Sequence, residues 1–240
     1  GQELGAQPGP WQAWWEQAEA DFAIDVEAVR ARSLDDMQLR EQIGRYRFYD
    51  IDLYAKRVLF VIDKSGSMGQ GAYPRRIDGV KDELLRLIDQ LDESVRFNII
   101  FFSHSMRPWR GWSLHPAEEK HKKTARAFVQ RIHPSGATYT DTVMEKAFRF
   151  VVEKEGVETI CLLTDGAPFR RGFLDMNEVA ADIHRANRFH KARIHTIGCF
   201  TGAADQGRGA HGEPPRAQLV QFLKGVAAAS DGTFVEVQGK

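Results

Sequence analysis

Asp63, Ser65 and Ser67 follow the apolar run in RVLFVIDKSGSMG (57–69), one carboxylate and then two hydroxyls at alternate positions. Much later LLTDG puts Asp165 at the end of a second apolar run, and HPSGATYTDT (133–142) carries Thr138 and Thr140 in a turn that enters a helix pattern. In a parallel α/β sheet, residues just past the carboxyl ends of the strands share one rim, and ligands bind there. Three distant segments therefore meet, bringing two carboxylates and four hydroxyls. All are hard oxygen donors, with no thiol or imidazole among them. Such a set suits magnesium, which takes oxygens at about 2.0–2.1 Å in near-octahedral geometry and keeps some water; manganese and calcium are chemically compatible. Residues two apart in a turn leaving a strand aim the same way, and Gly66 permits the tight backbone. Neutral hydroxyls leave a divalent ion under-neutralised, so it favours an outside carboxylate, an Asp or Glu of a partner protein. The competing reading of Ser65 and Ser67 is a capped turn whose hydroxyls satisfy free helix amides. The conjunction of three loops favours the ion.

The elements that must position these groups begin at residue 57. VLFVID (58–63), RFNIIFF (96–102), TICLLTD (159–165) and RIHTIGCF (193–200) are apolar without alternation, as strands buried on both faces are. TFVEV (233–237) alternates and suits an outer strand, while Pro108 confines MRPWRGW (106–112) to an edge. Between them, helical stripes recur: Ile77, Val80, Leu84, Leu87, Ile88 and Leu91; Ala125, Phe128, Val129 and Ile132; Val143, Ala147, Phe150 and Val151; Val179, Ile183, Ala186 and Phe189; Leu219, Phe222, Leu223 and Val226. The alternation predicts an α/β, Rossmann-like domain whose central sheet of about six strands is mainly parallel, with helices on both faces. Upstream, PWQAWWEQ sets Trp11, Trp14 and Trp15, with Phe22, on one face of a helix that needs cover, and YRFYDIDLYAKR reads as extended chain leading into the first core strand. The expected division is a helical N-terminal appendage over 1–45 and the α/β domain over 46–240.

Charge and composition exclude some function classes. In 240 residues, 33 Lys and Arg balance 33 Asp and Glu, so no overall field favours nucleic acid or an anionic membrane. No apolar run approaches the roughly 20 residues that span a bilayer, which argues against direct membrane insertion. Cys161 and Cys199 lie inside strand-like runs and read as buried thiols. The opening GQELGAQPGP has neither an initiating methionine nor a signal peptide, as expected of a soluble piece of something longer; the sequence does not fix its compartment.

DKSGSM resembles the Asp-x-Ser-x-Ser motif of the von Willebrand factor type A (VWA) domain, and SGATYT and LLTDG resemble its threonine loop and second aspartate, in the same order across roughly 57–238. The resemblance implies a metal-ion-dependent adhesion site. Ser65, Ser67 and Thr138 would be direct ligands, Asp63 and Asp165 would act largely through water or hydrogen bonds, and a partner's acidic residue would fill the remaining position. It also implies loop support from Thr140 and a binding module in place of an enzyme. Ala137 departs from the family, which commonly has glycine there. The start of the chain, GQELG through WQAWWEQ and on to FYDIDLYAKRVLFVID, resembles the join between a HEAT-type helical array and a type A domain in some bacterial multidomain proteins, so that 1–45 would be the remnant of a preceding module.

The rival enzyme reading is a serine hydrolase, because Ser67, Asp165 and His195 follow the chain order of that class. Against it, His195 lies mid-strand and Ser65 replaces the first glycine of the nucleophile elbow. Phosphotransfer from Asp63 is weaker still, since Ser65 stands where a proton-handling acid would be needed. Tyr73, Arg75, Arg76, Tyr139, Phe169, Arg170 and Arg171 fall in loops on the expected rim, and aromatic and arginine residues are favoured at protein interfaces. They are the candidate partner-binding rim.

Overall fold

The computed structural model describes residues 8–18, 46–70, 74–200 and 214–238. The chain divides into two compact units, 1–42 and 43–240. In the first, helix α1 (Pro8–Ala18) sets Trp11 edge-on to Trp14 at 6.1 Å. Trp11 and Trp15 keep 44% and 41% of their surface exposed, so the aromatic face is only partly covered; Phe22 is outside the described residues.

The second unit begins with a feature the sequence reading expected only as extended chain: β1 (Tyr46–Phe48) and β2 (Ile51–Leu53) form an antiparallel hairpin separate from the main sheet. Then follow β3 (Arg57–Asp63), α2 (Arg76–Gln90), β4 (Arg96–Phe102), β5 (Met106–Trp112), β6 (His115–Pro116) and α3 (Glu119–Gln130). Helix α4 (Thr140–Ala147) runs on through a π-helical stretch, Phe148–Val152, and is succeeded by β7 (Thr159–Thr164), α5 (Met176–Asn187), β8 (Arg193–Phe200), α6 (Arg216–Ala228) and β9 (Phe234–Gln238).

The main sheet has seven strands, ordered β5-β4-β3-β7-β8-β9 with β6 also on β4. The five from β4 to β9 in that path are parallel, and β5 and β6 pair antiparallel with β4. The unbroken apolar runs follow from double burial. Val58, Phe60 and Ile62 join Ile77, Val80, Leu84 and Val129 in one core layer, while Leu59 and Val61 join Val143, Ile183, Leu223 and Val226 in the other. Phe189 is the exception: α5 stops at Asn187, whose buried amide bonds Ala192 in both directions, and Phe189 falls beyond it, 63% exposed beneath Arg188. Its place in the apolar stripe is a coincidence of spacing.

One consequence of this order governs function. From β3 the chain moves to β4 on one side and β7 on the other, so successive crossovers leave in opposite directions and open a crevice at the carboxyl ends of β3 and β7. Asp63 ends β3, and Asp165 follows β7 directly.

Candidate metal centre

Three loops close over that crevice, joined by main-chain hydrogen bonds. The amide of Gly66 donates to the carbonyl of Gly136 at 2.8 Å, that of Ser135 to Lys64 at 2.7 Å, and that of Phe169 to Thr138 at 2.8 Å. Gly136 needs its lack of a side chain, with φ at +83° and a Cβ position that would fall on the His104 ring. Ala137 keeps a negative φ, so the residue that departs from the family pattern sits without strain.

The side chains then converge. Asp63 is fully buried; its Oδ1 accepts from the amide of Ser65 at 2.6 Å and its Oδ2 from the hydroxyl of Thr164 at 2.5 Å. The hydroxyls of Ser65 and Ser67 are 3.0 Å apart, and Ser67 donates to Oδ1 of Asp165 at 2.7 Å. Thr138 is buried against the turn after Asp165, where a Cβ on Gly166 would lie 3.0 Å from its hydroxyl oxygen. Thr140, at the start of α4, is fully buried and its hydroxyl has no hydrogen-bond partner among the described residues. Burial and the neighbouring Asp165 push the Asp63 carboxyl up to about 7, against the pull of its hydrogen bonds from Thr164 and Ser65. Burial raises Asp165 as well, opposed chiefly by Arg76. Two carboxylates held together out of water gain from any cation placed between them.

The donor set fits a hard divalent ion. Adjacent ligands of an octahedral ion with oxygens at 2.0–2.1 Å are about 3 Å apart, which matches the Ser65–Ser67 separation. No group of three His, Cys, Asp or Glu side chains suited to a metal occurs among the described residues, so any ion here depends on hydroxyls.

Two of the groups that shape this centre were not given such a role from sequence. Arg76, placed on the outer rim by its loop position, turns inward from the first turn of α2; its side chain is only 9% exposed, and Nη1 donates to Oδ2 of Asp165 at 2.6 Å. Lys64 is also buried, with Nζ donating to Ser103 at 3.0 Å and Ser135 at 3.3 Å. Neither an arginine before an apolar stripe nor a lysine inside the serine motif carries a sequence signal that it bends back.

The remaining rim residues are largely tied down. Arg75 pairs with Asp78 at 2.9 Å, Arg170 pairs with Asp141 at 2.7 Å, and Phe169 packs edge-on against Phe173 at 5.2 Å. Tyr139 is half-buried at the start of α4, Arg171 is exposed with φ of +60°, and Tyr73 lies outside the described residues. Arg75, Arg76 and Tyr49 line a cavity of about 380 Å³ that also touches Asp82, Glu83 and Cys199. Both cysteines are free and buried.

The hydrolase arrangement is not assembled. His195 pairs across β7 with Cys161, which pairs with Phe60, three residues or about 10 Å short of Asp63 along the strand. Its Nδ1 accepts from the amide of Thr233 at 3.0 Å, and Asp165 is engaged by Arg76 and Ser67.

The von Willebrand factor type A domain family matches residues 58–224. The chain belongs to this family. Human inter-alpha-trypsin inhibitor heavy chain H4 is 36% identical over 121 residues, 47% of this chain and 12% of that protein, so the type A unit here corresponds to a small part of its relative. Among solved structures, a von Willebrand factor type A protein from Catenulispora acidiphila superposes with a TM-score of 0.56 at 22% identity, covering 78% of this chain and 40% of that one. Manganese-loaded TRAP protein from Plasmodium vivax superposes with a TM-score of 0.51 at 16% identity over 76% of this chain and 68% of its own. These likenesses carry the type A fold.

Proposed function

We propose that residues 46–240 act as a divalent-cation-dependent protein-binding module and that residues 1–45 are the appendage of a preceding module. Asp63, Ser65, Ser67, Thr138 and Asp165 hold the ion, with magnesium the best match to the donor set and manganese or calcium able to replace it. The observation that carries this reading is the cluster at the β3–β7 crevice: two hydroxyls 3.0 Å apart, flanked by two buried carboxylates, on loops tied to one another. The role is binding, and the rival hydrolase reading has no support, since His195 accepts from Thr233 and not from Ser67. The TRAP neighbour is a manganese-loaded protein, and the hard donors here accept that ion equally.

When bound, the ion supplies positive charge that an Asp or Glu of a partner protein neutralises. The chain's own residues do the rest. Asp63 fixes the backbone of the serine loop through the Ser65 amide, Thr164 locks Asp63, and Thr138 closes the cluster from the opposite loop. Of the rim, Arg171 is exposed, the Phe169 amide bonds the Thr138 carbonyl, and Tyr139 precedes α4, with Arg170 next to them and Tyr73 and Arg75 close to the serine motif in sequence; these residues supply specificity and draw in an acidic partner.

The test is thermal and equilibrium unfolding with magnesium and with chelator. An ion present at 100 times its dissociation constant and bound only to the folded state adds about 2.7 kcal/mol. Coincident transitions and no heat of magnesium binding, in the wild-type chain and in an Arg76→Gln variant alike, would refute the metal centre. Loss of partner capture in chelator is expected, and capture that survives chelator would refute cation dependence.

A further inference from the structure

The ion pair between Arg76 and Asp165 is where the observed site departs from a simple nest of oxygens. The Asp165 carboxylate is fully buried and spends both oxygens inside the protein, Oδ1 on the Ser67 hydroxyl and Oδ2 on the Arg76 guanidinium. Arg76 itself is held in the first turn of α2, between Arg75, which is clamped to Asp78, and Ile77, which is fully buried in the core. The guanidinium is therefore built into the site by the helix that follows the serine motif, and it carries the kind of charge the proposed ion would bring.

We propose that Arg76 is a resident counter-cation: it neutralises Asp165 when no divalent ion is bound and keeps the ion affinity of the free site low, so that firm retention of the ion depends on a partner's carboxylate. This rests on the metal-centre reading given above. The Arg76 guanidinium already supplies positive charge against Asp165, so a divalent ion brought to the same carboxylate meets a resident cation that it would not meet if this charge were removed. The guanidinium also competes directly for Oδ2, and in a site shielded from water both effects are strong.

Magnesium binding by the folded chain, measured by titration calorimetry and by thermal shift, tests the idea on wild type, Arg76→Gln and Arg76→Lys. Removing the charge in Arg76→Gln is expected to tighten magnesium binding at least about tenfold. Arg76→Lys keeps the charge and is expected to stay within about threefold of wild type. Binding by the Gln variant alone, with none detectable in wild type, also supports the proposal. If wild type binds and the Gln variant binds equally or more weakly, Arg76 is not a competing cation, while the metal centre stands. If neither protein binds magnesium, the metal centre itself is lost and this inference with it. Should Arg76→Gln be unfolded in chelator, circular dichroism during a magnesium titration gives the answer: refolding shows that the ion replaces the guanidinium, and failure to refold overturns the proposal.

Discussion

At the scale of single residues, Thr138 links the threonine loop to the aspartate loop. Its carbonyl accepts from Phe169, and its hydroxyl faces the turn after Asp165, where Gly166 leaves room that a Cβ would take. The main-chain bond does not depend on the side chain, so the two roles are separable. Thr138→Val preserves shape and removes the oxygen. Magnesium affinity is expected to fall at least about tenfold, equivalent to about 1.4 kcal/mol, with the buried methyls keeping the fold intact. Thr138→Ser retains the oxygen and is expected to keep most of the affinity. Calorimetric titration of the two variants, beside their melting curves, checks this; equal binding by Val and wild type removes Thr138 from the ligand set. That Asp63, Ser65, Ser67, Thr138 and Asp165 meet on one rim was legible because their strand-end and loop positions show in the letters. Arg76 was not, because the direction of a long flexible side chain depends on a buried carboxylate 89 residues away that local pattern does not reveal.

Among the elements, the β1–β2 hairpin was the least readable. Each strand has three residues, and the turn places Tyr49 at φ +51° without the Asn-Gly or Asp-Gly pair that marks such turns. What fixes it is tertiary: Tyr46, Phe48, Ile51 and Leu53 are buried in the core layer of α2, Phe48 meets Phe60 edge-on at 5.4 Å, and the Tyr49 amide donates to Glu83 of α2 at 2.6 Å. The long strands and helices of the sheet, in contrast, announced themselves because their apolar periodicity extends over several residues. The hairpin is therefore part of the type A unit's core. Phe48→Ala is expected to destabilise that unit by about 3–5 kcal/mol, the cost of emptying a large buried aromatic site. Urea unfolding measures it, and a loss below about 1 kcal/mol would show the hairpin to be a detachable strap. Because Phe48 lies beneath β3 and away from the loops, the folded fraction should still bind magnesium with unchanged affinity.

For the whole molecule, sheet order is what turns scattered sequence into a site: in a sheet of five parallel strands, the crossovers leave to opposite sides between β3 and β7 and put Asp63 and Asp165 on one crevice. The parallel class was legible from uninterrupted apolar runs, but their order was not, since each buried strand pairs equally well with several others. The same sheet buries an imidazole that couples its stability to pH. His195 is 5% exposed in β8, and its Nδ1 accepts from the amide of Thr233, a bond that requires the neutral ring. Burial, with a smaller contribution from Arg193, pulls its pKa down to about 4 from 6.5. Above 6.5 the ring is neutral in folded and unfolded chains alike. Between 6.5 and about 4 the unfolded chain takes up a proton that the folded one refuses, so this group's contribution is lost as pH falls through that window. Asn at this position offers an acceptor for Thr233 without a titrating group. Wild type should therefore lose more unfolding free energy than His195→Asn between about pH 7.5 and about pH 5, both measured by urea denaturation in chelator. Equal losses would mean that His195 is protonated in the folded protein and that Thr233 has released it.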